Sequence, residues 1–185
     1  MDEEEIRQLE EVKISGESVF DGALLHVRKD EVTLPDGKTA VREYFTHPGA
    51  VALVPMTEDG CVILERQFRY PVGRIVTEIP AGKLDSPDED RLAAAKRELK
   101  EETGYEAESW AKIGDYTPAA AYSDEVISLY LARDLIKTGR DLDEDEFINL
   151  IQVPLTEVVK QIMEGEITDG KTMAAIFMTA RLFLI

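Results

Sequence analysis

Apolar and β-branched positions recur among polar ones along the first quarter of the chain, over 12–19 and 23–32, around a turn signal at Asp21-Gly22. Such runs beside turn residues predict strands. Leu34-Pro35-Asp36-Gly37-Lys38 is a turn between two such runs, so 23–46 is expected to be a hairpin. After Pro48-Gly49, two denser apolar runs at 50–56 and 61–67 flank Glu58-Asp59-Gly60 and predict a second hairpin. Over 86–103 the period becomes helical. Strands are expected again at 111–116, 125–132 and 150–153, a charged loop at 141–146, and two closing helices at 155–164 and 171–184. The order predicts an α+β fold, a mixed sheet between helices, with a β-rich N-terminal region (1–47) ahead of a main domain (48–185).

Composition narrows the function. With 185 residues, 44% hydrophobic and 32% charged, the chain suits one well-cored domain with a small appendage. A net charge of −17 repels a nucleic-acid backbone, so DNA and RNA are not expected partners. No apolar run approaches the roughly 20 residues that span a bilayer, so no membrane partner is expected. The N-terminus, MDEEEIRQLEEV, lacks the basic and apolar regions of a signal peptide, and a cytoplasmic location is the expectation. Cys61 is the only cysteine, which fits a reducing compartment. With only His26 and His47 besides, a Cys/His zinc site is not expected.

The segment GKLDSPDEDRLAAAKRELKEETGY, 82–105, carries the chemistry. Ser86 is the expected N-cap, with Pro87 in the first turn and Glu89 completing a capping box. Gly104 supplies the stop. Leu92, Ala95 and Leu99 form a stripe for burial, while Glu98, Glu101 and Glu102 share another face. Like charges at that spacing repel, and Arg97 offsets part of the repulsion by pairing with Glu101. Two readings stay open on composition alone: a solvated, salt-bridged face, or oxygen ligands for a hard divalent cation.

Gly82, Glu89, Arg97-Glu98-Leu99, Glu101-Glu102 and Gly104-Tyr105 resemble the Nudix box, G-x5-E-x7-R-E-U-x-E-E-x-G-U, where U is bulky and apolar. One departure stands out: six residues, not five, separate Gly82 from Glu89. The resemblance implies a Nudix fold and a Mg²⁺ cofactor, with Mn²⁺ as the alternative. It makes Glu98 and Glu102 the expected metal ligands, assisted by Glu101 and by the backbone carbonyl of Ala81. Arg97 orients the carboxylates, and Glu89 is either a helix cap or an outer support. Gly82 and Gly104 are expected to serve backbone conformation.

The flanking segments RQFRYPVGRIVTEIPAGKL, YSDE and DEDEF are similar to the ADP-ribose pyrophosphatase branch. That likeness implies a homodimer, built through the N-terminal β-region, and a nucleoside diphosphate substrate. Arg66, Arg69 and Arg74 form a local positive concentration in an acidic chain, and guanidinium suits a diphosphate. By resemblance, Arg69 is the expected diphosphate contact and Glu78 a substrate contact. Arg42, Glu43 and Tyr44 fall where the branch makes adenine-side contacts, and Glu144 is the expected general base with Glu146 second. After the box, Pro118 is followed by Ala119-Ala120-Ala121 where the branch carries glycine and an aromatic residue. The expected reaction is hydrolysis of ADP-ribose to AMP and ribose 5-phosphate. Other nucleoside diphosphate derivatives, such as nucleotide sugars, are the alternative, and a non-catalytic ADP-ribose sensor is the rival of another class.

Overall fold

The computed structural model describes residues 2–140 and 147–184. They form two compact units, Met1–His47 with Ala119–Glu125, and Pro48–Pro118 with Val126–Ile185.

The first unit opens on a helix that the periodicity did not predict, α1 (Glu3–Leu9). Asp2 caps it by accepting from the Glu5 amide at 2.8 Å, and Glu3, Glu4 and Glu5 sit in the first turn, where the helix dipole favours acids. Three antiparallel strands follow in the order β1 (Val12–Asp21), β2 (His26–Thr33), β3 (Thr39–Thr46). The expected hairpin is β2–β3, with Thr33 opposite Thr39 and Gly37 at φ 83° in its turn. All ten residues of β1 are exposed. Buried Asp30 takes Lys13 at 2.7 Å and the Tyr44 hydroxyl at 2.8 Å, so polar pairs help to tie this sheet together.

The second unit contains β4 (Ala50–Pro55), β5 (Cys61–Arg69), β6 (Arg74–Glu78), β7 (Ala81–Lys83), β8 (Tyr105–Tyr116), β9 (Ile127–Lys137) and β10 (Ile148–Pro154). Its helices are α2 (Arg91–Glu98), α3 (Leu155–Met163) and α4 (Gly170–Leu182). One sheet runs β7-β4-β9-β8, with β4 and β9 parallel; the other is antiparallel, β10-β5-β6. Every residue of β4 is buried. Val51 and Leu53 pack with Leu84, Ala94, Ala95 and Leu99 on the α2 side. Ala52 and Val54 pack with Val158, Ile162, Ala175 and Ile176 from α3 and α4. A strand covered on both faces needs an unbroken apolar run, which is what 50–56 supplies.

The expected second hairpin is corrected. β4 and β5 form no ladder and belong to different sheets. Just past β4 an isolated bridge joins Met56 to Val62, and the Thr57 amide donates to the Cys61 carbonyl at 2.9 Å. Both edges of β4 are taken, by β7 and β9, which leaves β5 to pair with β10 and β6. Among the described residues, no helix is long and apolar enough to cross a membrane.

Candidate active site

The carboxylate-rich helix begins later than its sequence suggests. Asp90, not Ser86, is the N-cap, accepting from the Ala93 amide at 2.7 Å. The Ser86 carbonyl instead accepts from the Glu89 amide at 3.1 Å and closes a turn. Glu89 is drawn into another task, which explains the shift. Its carboxylate accepts from the Asp85 amide at 2.7 Å and pairs with Arg97 at 3.4 Å, bracing the longer loop against the helix. Beyond Glu98 the helix widens into one π-helical turn, Leu99–Thr103, and stops at Gly104 with φ 74°. Such turns recur at functional sites. Leu99 stays fully buried, while Glu98 and Glu102 are 8% and 5% exposed.

Two of the three expected ligand carboxylates are therefore held at the inner side of the helix. Glu102 accepts from the Ala81 amide at 2.9 Å. Glu98 lies directly over Gly82, where even a Cβ would collide with its carboxylate. Gly82 does not occupy the left-handed region, so its part is close approach and not the backbone conformation expected of it. Arg97 contacts Glu98 at 2.7 Å and Glu101 at 3.2 Å. Burial opposes the charge of that guanidinium, but Glu98 and Glu101 outweigh burial and hold its pKa above the usual arginine value.

Among the described residues, no three carboxylate, imidazole or thiol groups converge on one point. The donor set nevertheless suits a hard cation. Three carboxylates stand on neighbouring turns, two are nearly buried, and Arg97 pairs with Glu98 and Glu101. Glu98, Glu102 and Glu101, with the Ala81 carbonyl, are the residues that would hold it.

A second ionic group faces this helix from β5 and β6. Arg69 Nε donates to Glu78 Oε1 at 2.8 Å, and Lys171 of α4 donates to Glu78 Oε2. Lys171 also lies 3.2 Å from Asp169. Asp169 caps α4, accepting from the Thr172 amide at 3.0 Å and its hydroxyl at 2.6 Å. Thr172 Oγ1 in turn accepts from the Ile79 amide at 2.9 Å. Arg69, Arg74, Glu78, Thr168 and Lys171 line a cleft of about 380 Å³. Arg74 spends its guanidinium on the Thr168 hydroxyl at 2.8 Å, and Arg66 is exposed.

Sequence reasoning did not single out Glu65, Asp169, Lys171 or Thr172. The cap signal in Asp169-Gly170-Lys171-Thr172 was readable, but its partners lie some 90 residues upstream and nothing local points to them. Glu65 stands opposite Glu78 across β5 and β6. It is 2% exposed, and its Oε1 has no hydrogen-bond partner among the described residues. Burial first, then the charge of Glu78, push its pKa up to about 8 against the pull of Arg140, Lys171 and Arg69.

The remaining expected residues lie elsewhere. Arg42 pairs with Glu11 at 2.8 Å, Glu43 sits on β3 opposite Lys29, and Tyr44 bonds Asp30, all within the first unit. Glu144 and Glu146 fall outside the described residues.

Comparison with known proteins adds to this geometry. Residues 46–176 match the NUDIX domain family, and 11–45 match the family described as the nucleoside diphosphate sugar hydrolase N-terminal domain. The chain is 40% identical to the ADP-ribose pyrophosphatase of Bacillus subtilis (strain 168), over 92% of this chain and 93% of that protein. It is also 40% identical to the methanol dehydrogenase activator of Bacillus methanolicus, over 90% of this chain and 91% of that one. A crystal structure of an ADP compounds hydrolase has the same fold, with a TM-score of 0.84 at 23% identity, covering 95% of this chain and 96% of that one.

Proposed function

Because the chain belongs to the Nudix family, we propose that it hydrolyses the diphosphate of ADP-ribose to AMP and ribose 5-phosphate, with Mg²⁺ as cofactor and Mn²⁺ as the alternative. The observation that carries this reading is the buried pair Glu98 and Glu102, set against Gly82 and Ala81, with the charge of Arg69 close enough to Glu102 to interact with it. The name of the Bacillus subtilis relative supports ADP-ribose as substrate.

A divalent cation, when bound, neutralises diphosphate charge and polarises the phosphorus under attack. The protein's own residues do the rest. Arg97 keeps Glu98 and Glu101 turned toward the helix face, and Arg69 offers its guanidinium to the diphosphate. We assign Glu78 to holding Arg69, since its carboxylate is 2% exposed and engaged by two cations. Glu144, with Glu146 second, is the candidate base that takes the proton of the attacking water.

The reading includes a homodimer built through the N-terminal unit, with Arg42 and Glu43 as adenine-side contacts, and a cytoplasmic location. The exposed β1, with Val12, Ile14, Val19 and Phe20 more than half exposed, supports association through that strand. Light scattering tests it, and a monomer at working concentration would contradict it.

A second reading has an observation of its own. The match of 11–45 to the nucleoside diphosphate sugar hydrolase N-terminal domain favours nucleotide sugars. Competition of ADP-ribose, GDP-mannose and UDP-glucose in one reaction with Mg²⁺ separates the two. ADP-ribose is expected to give the highest kcat/KM; a nucleotide sugar ahead of it transfers the assignment to that class.

A further inference from the structure

Arg69 meets Glu78 through Nε alone. A guanidinium beside a free carboxylate ordinarily takes both oxygens with two parallel N–H groups. Here the second oxygen is occupied, because Lys171 Nζ sits on Glu78 Oε2. Among the described residues, the two terminal amino groups of Arg69 make no hydrogen bond, and its side chain is 43% exposed where Glu78 is 2% and Lys171 13%. The arrangement is an arginine anchored at its root with its fork left open.

Lys171 is itself fixed. Asp169 holds its ammonium at 3.2 Å while capping α4, and Thr172 ties the same turn to the Ile79 amide, one residue beyond Glu78. The first turn of α4 thus grips the end of β6 at two adjacent residues. Directly across from Glu78 lies Glu65, buried and with one oxygen unpartnered. Two carboxyls side by side in a nearly dry place need a cation that does not leave when substrate arrives. Arg69, being half-exposed, is the cation that meets the substrate, so the resident one is Lys171.

We infer that Lys171 is a positioning residue for the diphosphate-binding step: by occupying one oxygen of Glu78 it keeps Arg69 in single-point contact and its outer amino groups directed away from Glu78. The inference rests on the reading of Arg69 as the diphosphate contact. Without Lys171, Arg69 closes on both oxygens of Glu78 and withdraws from the substrate.

The test is a double-mutant cycle on the full-length protein with ADP-ribose and Mg²⁺, reading KM and kcat separately. Lys171→Met is expected to raise KM by about tenfold or more, the scale of losing a residue that orients a ligand-binding group. kcat and the Mg²⁺ concentration for half-activation should stay close to wild type. Lys171→Arg should recover most of the loss. The decisive arm is the Arg69→Ala background, in which Lys171→Met should change KM no further. Lys171→Gln serves as the second variant should Lys171→Met fold poorly, and its rise in KM must likewise vanish in the Arg69→Ala background. A wild-type KM in Lys171→Met, or an equal rise with and without Arg69, overturns the inference. An unchanged KM in Arg69→Ala alone removes the reading beneath it, and so marks that failure apart.

Discussion

Gly82 and Glu98 show how a single missing side chain shapes the site. The backbone at Gly82 is one that other residues adopt, yet a methyl group there would meet the Glu98 carboxylate. Gly82→Ala should therefore displace that carboxylate, which is a flexible group able to move. Stability should fall by about 1–3 kcal/mol, the usual cost of overpacking, while kcat falls by about tenfold or more, as when the support of a metal ligand is lost. Thermal unfolding and steady-state kinetics on one preparation check both, and an unchanged kcat would remove Glu98 from the reaction. Arg97 belongs to the same scale. Its contacts to Glu89, Glu98 and Glu101 offset part of the repulsion among three acids. Of that hub only the Arg97–Glu101 pair was legible from spacing, because residues four apart on a helix are neighbours. Glu98 is adjacent in sequence, and Glu89 lies in the loop before the helix. Of the Arg69–Glu78–Lys171 group, Arg69 and Glu78 were singled out by resemblance and Lys171 was not, since it arrives from 93 residues away.

At the scale of elements, the helix start separates two chemically similar caps. Ser86 and Asp90 both satisfy the local preference, but only Asp90 leaves Glu89 free to bridge Asp85 and Arg97. Asp90→Ala should cost about 1 kcal/mol and lower the melting temperature, whereas Ser86→Ala should be close to neutral. The reverse order would return the helix start to Ser86. β2, β3 and β9 were readable because β-branched and apolar residues gather there beside turn signals. β6 and β7 were not, being short and polar, with Arg74, Thr77 and Glu78 in β6 and Ala-Gly-Lys in β7. Their pairing to β5 and β4 is decided by tertiary contact, as is the parting of β4 from β5. The π-helical turn after Glu98 likewise has no sequence signal, and it is this turn that leaves Glu102 inside and Glu101 nearer to solvent.

At the scale of the whole molecule, a charge of −17 and a buried, unpaired Glu65 make folding sensitive to pH. Glu65 has an ordinary value of 4.5 and a folded value of about 8, so between these the folded state keeps a proton that the unfolded state has released. Its contribution is thus complete below pH 4.5, declines as pH rises, and is lost above about 8. Urea midpoints should fall across that window, and Glu65→Gln should flatten the fall and be the more stable variant at high pH. Equal slopes for the two proteins would show that Glu65 ionises normally. The acidic helix as the hydrolytic centre is tested most directly by Mg²⁺-dependent release of AMP and ribose 5-phosphate from ADP-ribose by the wild type and Glu102→Gln, folded and side by side. Release by the wild type that disappears on chelation and falls by about 10²-fold or more in the variant is the predicted result. Equal rates in the two proteins would contradict it.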